Sequence, residues 1–115
     1  MSYDIAVSVK VEGCDKYAVI AEPELSSPTY NLGRMFRACT GWDFNQSEWY
    51  KCSEVIDNIE TGIKELQTSP EEYRKYEPAN RWGTLESAIQ ALESMRDCIY
   101  TQAEDIPIEC LYVSW

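Results

Sequence analysis

Histidine is absent from this chain of 115 residues. The chain therefore lacks the side chain best suited to proton transfer near neutral pH, which is also the commonest metal ligand in proteins. The sequence also has no Gly-x-x-x-x-Gly-Lys phosphate loop, no Gly-x-Ser-x-Gly nucleophile elbow and no metal loop of alternating Asp and Asn. We therefore expect a protein that is not an enzyme, with no catalytic residues, no cofactor and no metal site.

Long apolar runs are missing as well. No stretch approaches the roughly 18 uninterrupted apolar residues that a membrane span needs. The first residues, Met1-Ser2-Tyr3-Asp4, do not have the basic-then-apolar pattern of a signal peptide. We expect a cytoplasmic protein with no membrane partner, folded as a single domain over residues 1–115.

Cysteine is present without a pattern that would pair it or bind zinc. The five cysteines are an odd number with long spacings, and no Cys-x-x-Cys occurs among them: Cys14, Cys39, Cys52, Cys98 and Cys110. Such an arrangement predicts neither a disulfide framework nor a zinc site. We expect reduced cysteines that mostly pack as small apolar side chains.

Positive charge is scarce. The chain has 20 acidic and 10 basic residues, a formal net charge of −10, and residues 51–115 hold 13 of the acidic against 6 of the basic residues. This balance disfavours direct binding to nucleic acid, because a phosphate backbone would be repelled. The acidity either keeps the protein soluble or offers a negative surface to a basic partner.

Apolar periodicity predicts the fold. Alternation over residues 5–11 and a β-prone run at Tyr17–Ala21 predict an N-terminal hairpin, and residues 108–115 read as a strand that returns beside it. Helical spacing predicts a short helix between a cap at Thr29 or Asn31 and a terminating Gly41, and further helices over residues 53–66, 70–76 and after Thr84. The expected class is α+β: a small antiparallel sheet, made of the hairpin and the C-terminal strand, covered on one face by three to four helices.

Two loop-to-helix junctions have the composition of a binding site. Thr29-Tyr30-Asn31 and Asn80-Arg81-Trp82-Gly83 each place an amide and an aromatic ring at the start of a helix, where unpaired backbone N–H groups favour an anion. A ring can stack on a base, and Asn offers both a donor and an acceptor. The alternative is that these residues are ordinary caps and core anchors. The candidate ligand-binding residues are Tyr30, Asn31, Arg34, Asn80, Arg81 and Trp82.

Other side chains bear on this hypothesis. Arg34 and Arg37 lie one turn apart, and we expect them to pair with the acidic C-terminal half or, alternatively, to bind a ligand phosphate. Trp42, Trp49 and Tyr50 are candidates for additional walls of the site. The aromatic loops and the C-terminal Trp115 would provide adhesive surface for a homo-oligomer, most simply a homodimer.

The junctions also carry a resemblance. Thr29-Tyr30-Asn31 followed by Met35, and the segment from Tyr73 to Thr84 followed by Leu92, are similar to a family of short uncharacterised accessory proteins of tailed phages and prophages. The pattern of that family is Thr-x-Asn-x-x-x-Met near the front and Asn-Pro-x-Asn-Gly-Trp-Gly behind the middle helix, and it covers residues 29–99. This chain departs from it with Glu77 in place of Asn and Arg81 in place of Gly.

The resemblance implies a small protein made in the cytoplasm of an infected bacterium, where such proteins often counter host defence. One interpretation is that the protein sequesters a nucleotide-derived immune signal at the two junctions. A second is that its acidic half mimics nucleic acid and inhibits a CRISPR effector or a restriction enzyme. A third is a structural or regulatory accessory role. The expected partner is thus a nucleotide-like small molecule or a host defence protein.

Overall fold

A computed structural model describes residues 3–25, 28, 30–43, 48–80 and 83–115. The strands are β1 Ala6–Lys10, β2 Tyr17–Ala21, β3 Tyr50–Lys51 and β4 Leu111–Ser114. The helices are α1 Gly33–Thr40, α2 Cys52–Thr68, α3 Pro70–Tyr73 and α4 Leu85–Ala103. Three 3₁₀ turns, Tyr30–Leu32, Arg74–Tyr76 and Ile108–Cys110, precede α1, follow α3 and precede β4. Within these ranges, no helix is both long enough and apolar enough to cross a bilayer.

The strands form one antiparallel sheet in the order β2-β1-β4-β3. The N-terminal hairpin is present as predicted, closed by a 2.7 Å hydrogen bond from the Val11 N–H to the Lys16 carbonyl. The C-terminal strand returns beside β1, with Val7 opposite Val113, as expected. The sequence did not predict β3, because two residues are too short to show a period of two.

The helices pack on the sheet face that carries Val7, Leu111 and Val113, each fully buried. The apolar stripes predicted for the helices are buried together with these strand residues, except for Ile89 of α4, which is half-buried: Leu32, Met35, Phe36 and Cys39 of the first helical segment, Val55, Ile56, Ile59, Ile63 and Leu66 of α2, and Leu85, Ala88, Leu92, Met95 and Ile99 of α4. The predicted α+β class, with helices covering one sheet face, is confirmed.

Some expected strand and surface positions differ from the structure. Val11 lies beyond the end of β1 and is exposed, and residues 108–110 form a 3₁₀ turn rather than strand. The ring of Trp115 is only 4% exposed, so it does not provide the adhesive surface that its terminal position predicted. It stacks on Tyr50 with ring centroids 5.1 Å apart, because β4 directs alternate side chains into the core.

The helix ends follow the predicted signals in part. Gly41 terminates α1 with a φ of 70°, and Thr84 caps α4 in a capping box with Ser87. By contrast, the residue at the N-cap of α1 is Leu32, without a side-chain cap, because the preceding 3₁₀ turn displaces Asn31 from that position. Thr29, the other expected cap, lies outside the described residues. Ser69 precedes Pro70 at the start of α3 but makes no capping hydrogen bond.

Helices α1 and α2 approach closely at Gly62. A Cβ at this position would lie 2.6 Å from Cγ2 of Thr40 and 3.2 Å from Sγ of Cys39. Thr40 cannot easily move, because its hydroxyl donates to the Phe36 carbonyl at 2.6 Å and accepts from the Trp42 N–H at 3.0 Å. The C-terminal end of α1 therefore requires glycine on α2.

We predict that Gly62→Ala destabilises the protein. Helix propensity alone would stabilise the variant by about 1 kcal/mol, whereas the steric overlap with Thr40 costs about 1–3 kcal/mol. The free energy of unfolding from urea titration should therefore fall. Thr61→Ala, at the adjacent exposed position of α2, is the matched control and should change stability little. A stabilised Gly62→Ala variant would contradict this packing.

Candidate functional site

The first junction forms the N-terminal approach to α1. Asn31 and Arg34 are both exposed there, Asn31 in the 3₁₀ turn and Arg34 in the first turn of α1. Gly33 between them is buried, and a Cβ on it would lie 2.6 Å from the hydroxyl of Tyr3 and 3.2 Å from a guanidinium nitrogen of Arg37. The backbone of Tyr30 belongs to the 3₁₀ turn, but its side chain is outside the described part. This end of α1 thus presents Arg34 and Arg37 beside a tightly packed backbone.

The second junction lies between the 3₁₀ turn Arg74–Tyr76 and α4. Asn80 is exposed in a turn, and Gly83 has a φ of 116°, a conformation that favours glycine. Arg81 and Trp82 lie outside the described residues, so their predicted role in binding stays a prediction. Glu77 accepts a 2.8 Å hydrogen bond from the Leu85 N–H, which ties this turn to the start of α4.

Tyr76 links the two junctions. The guanidinium carbon of Arg34 lies 5.9 Å from the centroid of the Tyr76 ring, and Nζ of Lys75 lies 5.3 Å from the same centroid. Both distances are within the range of a cation–π interaction. Tyr76 precedes Asn80 by four residues, so Arg34 of the first junction meets the segment that leads into the second. We call Arg34, Lys75 and Tyr76 the Tyr76 cluster.

The sequence pointed to Arg34 but not to Lys75 or Tyr76. In the sequence, Lys75 and Tyr76 stand side by side, five and four residues before Asn80, inside the segment that carries the phage-family resemblance. Nothing in the local pattern placed them against α1, because the contact joins elements about 40 residues apart in the chain.

Among the described residues, the cations at this end have no carboxylate partner. Throughout the described ranges, no Asp or Glu oxygen lies within 4.0 Å of the charged nitrogens of Arg34, Arg37 or Lys75. The prediction that Arg34 and Arg37 pair with the acidic C-terminal half is therefore wrong. The acidic groups near this turn are held instead by Arg74.

Arg74 contacts three carboxylates, with nitrogen–oxygen distances of 2.8 Å to Glu86, 3.4 Å to Glu77 and 3.8 Å to Glu71. The hydrogen bond to Arg74 lowers the pKa of the Glu86 carboxyl. One arginine thus compensates several acids, and its neighbours Arg34 and Lys75 stay without a carboxylate in the part of the chain that the structure describes.

The aromatic residues expected to widen the site lie elsewhere. Trp42 follows the C-terminal end of α1, whereas the first junction is at its N-terminal end, and Trp42 packs edge-on against Tyr50 at 5.2 Å. Trp49 stacks on Tyr17 of β2 at 5.3 Å. Trp42, Trp49 and Tyr50 thus pack against other rings of the sheet and the core, and Trp42 lies at the far end of α1 from the first junction.

Some of the acidic residues form a row along α4. Spacings of 7, 11 and 18 residues align one row of carboxylates on a single helix face: Glu86, Glu93, Asp97 and, directly after α4, Glu104. Part of this charge is compensated, because Arg96 lies 3.0 Å from Asp97 and 3.9 Å from Glu93. A cleft of about 260 Å³ between residues 21–24 and α4 adjoins this row.

The perturbed thiols and phenols are shifted away from reactivity. Burial raises the pKa of Cys39 and of Cys52 to about 12, and burial together with a 3.1 Å hydrogen bond to Glu65 raises the pKa of Tyr73 to about 12. A nucleophile needs the opposite shift. In the described segments, no group of three or more Cys, Asp and Glu side chains has a geometry that could hold a metal ion.

No protein-family model matches this chain, and neither a curated protein nor a solved structure shows significant similarity to it.

The cysteine environments predict a graded reactivity. Cys14 and Cys110 are exposed, Cys98 is half-buried, and Cys39 and Cys52 are buried. At about pH 8, only about one in ten thousand thiols with a pKa of about 12 is ionised, and the thiolate is the reactive form. A chromogenic thiol reagent should therefore release two equivalents rapidly from the reduced native protein, a third slowly, and the last two only after denaturation. Cys14→Ser should remove one rapid equivalent. Rapid reaction of all five would contradict the described burial.

Proposed function

We propose that this chain is a non-enzymatic capture protein that binds a nucleotide-like, phosphate-bearing molecule at the Tyr76 cluster and the adjoining junctions. The observation that carries the proposal is the meeting of Arg34 and Lys75 over one tyrosine ring, without a carboxylate partner in the described ranges. In a chain with a net charge of −10, two such cations at one ring are a local concentration of positive charge.

Charge supports a phosphate at this position. The interaction of an anion with one cation 4 Å away is worth about 4 kcal/mol at an effective dielectric constant of 20, before desolvation costs are subtracted. Arg37 lies one turn from Arg34 and also has no described carboxylate partner, so a third cation stands near the same place. Elsewhere, the acidic surface would repel an anion, which makes this end the favourable one.

The aromatic ring and the amide side chains favour binding of a base or another planar group beside the phosphate. Tyr76 is half-buried, so part of its ring remains accessible next to the two cations. Asn31 and Asn80 are exposed on the flanking turns, and their amides offer a donor and an acceptor each. This combination of stacking, hydrogen-bonding and cationic groups matches the parts of a nucleotide.

A non-enzymatic role is supported by the shifted pKa values. A thiol with a pKa of about 12, as at Cys39 and Cys52, is almost fully protonated at neutral pH and is a poor nucleophile. Histidine, the usual general base, is absent from the sequence. Capture without turnover is the simplest activity consistent with these groups.

The resemblance to phage accessory proteins suggests the biological setting. A phage protein that holds a nucleotide without consuming it would lower the free concentration of that molecule in the infected cell. We therefore propose that the captured molecule is a nucleotide-derived signal of bacterial immunity.

A second candidate function rests on the row of carboxylates along α4. Glu86, Glu93, Asp97 and Glu104 extend over about 27 Å at 1.5 Å per residue, a length that could follow a nucleic-acid groove in a CRISPR effector or restriction enzyme. Arg74 and Arg96 compensate three of the four, which weakens the resemblance to bare phosphate. This compensation favours capture over mimicry.

We predict that Arg34→Ala and Lys75→Ala each weaken nucleotide binding about 10- to 150-fold, because each removes one charge-assisted contact worth about 1.5–3 kcal/mol. Binding can be measured by calorimetry and thermal shift with mononucleotides, linear and cyclic dinucleotides, and pyrophosphate. A ligand at a hundredfold excess over its Kd should stabilise the fold by about 2.7 kcal/mol.

Lys64→Ala is the matched control, because Lys64 is an exposed cation on α2 without a described ion pair. It should bind like the wild type. No stabilisation by any nucleotide, or equal losses in all three variants, would refute capture at the Tyr76 cluster. Salt-sensitive co-purification with a nuclease in the absence of nucleotide binding would instead support mimicry.

A further inference from the structure

The strand β2 is an open edge of the sheet. It pairs with β1 on one side and has no described neighbour on the other, whereas the opposite edge, β3, is only two residues long. Short strands are a common protection against unwanted edge pairing. The strand β2 is five residues long, so it is not protected by being short.

Apolar exposure is concentrated at the same edge. Of the five large apolar side chains exposed in the described ranges, Val19 and Ile20 lie on β2, Val11 lies opposite its start, and Leu25 follows its end. Tyr100 on α4 is the fifth. Val19 is the most exposed of them at 54%. Clustered apolar side chains on an edge strand indicate a partner surface rather than ordinary surface residues.

The hairpin determines which backbone groups of β2 remain available. Val11 and Lys16 are a hydrogen-bonded pair, so alternation makes Ala18 opposite Val9 the next such pair. The N–H and C=O groups of Tyr17 and Val19 consequently point away from β1. The register is regular from Tyr17 to Val19 and shifts only beyond Val19, so this part of the edge can accept another strand.

We infer that β2 pairs antiparallel with β2 of a second copy of this chain, which joins two sheets into one of eight strands. A two-fold axis at Ala18 would place Tyr17 opposite Val19 of the second copy, and each pair would exchange two hydrogen bonds. This register uses the outward-pointing groups and only the regular part of the strand.

The charges beside the strand favour this orientation. Lys16 directly precedes β2 and Glu22 directly follows it. In an antiparallel pair, the start of one strand adjoins the end of the other, so Lys16 would face Ile20 of the second copy and lie two residues from its Glu22 along the strand, at both ends. A parallel pair would instead bring like charges together.

A strand of this length forms an interface below the usual 1,200 Å², so we expect a reversible dimer with a Kd of about 1–100 µM.

Sedimentation velocity over a concentration series tests this inference. The wild type should shift from 13.3 kDa toward twice that mass with rising concentration. Val19→Lys should raise the Kd at least tenfold, because it places like charges close to the two-fold axis. Tyr100→Lys is the matched control, since Tyr100 is similarly exposed at 42% but lies on α4. It should leave the Kd unchanged.

The orientation has its own test. Lys16→Glu should weaken the dimer, and adding Glu22→Lys should restore it. These positions are exposed, so circular dichroism should show an unchanged fold in every variant. A wild type that stays monomeric to about 200 µM, well above the expected range of Kd, would overturn the inference. A dimer that Val19→Lys leaves intact would also overturn it, and so would a Lys16→Glu defect that Glu22→Lys does not rescue.

Discussion

The close approach of α1 to α2 at Gly62 determines the geometry at both ends of α1. At the C-terminal end, Thr40 fits against the missing side chain of Gly62, and the Asn58 amide donates to the Thr40 carbonyl at 2.9 Å. The same α2 continues into α3 and the turn that carries Tyr76, so the N-terminal end of α1 meets that turn through Arg34. The proposed capture site thus depends on a packing contact at the other end of a helix only eight residues long.

Charge separation gives this geometry its proposed function. Arg74 and Arg96 compensate three of the carboxylates along α4, whereas Arg34, Arg37 and Lys75 have no carboxylate partner among the described residues. An acidic protein can in this way repel anions over most of its surface and still attract one at a single position. Arg34 and Lys75 meet at the Tyr76 ring, which is why the proposed capture of a nucleotide explains the arrangement better than mimicry of nucleic acid.

Local sequence patterns predicted the helices and strands well and the tertiary contacts less well. The hairpin, the apolar stripes of the helices, Gly41 and Thr84 follow from period and capping chemistry, which act within a few residues. The partner of Arg34 does not, because Tyr76 is distant in sequence, and the described residues place no carboxylate of the acidic C-terminal half within 4.0 Å of Arg34. The exposed surface predicted for Trp115 is wrong for a similar reason: the burial of Trp115 depends on how β4 docks, not on its terminal position.

The central claim is that an anion binds where α1 meets the turn carrying Tyr76. Titration of the isotope-labelled protein with pyrophosphate, followed through backbone amide resonances, tests it most directly. We expect saturable shifts that concentrate in residues 30–37 and 74–80, with α4 beyond its first turn and the sheet unaffected. Shifts along α4 instead, or none at ligand concentrations of about 10 mM, where even a millimolar Kd would give saturation, would contradict it.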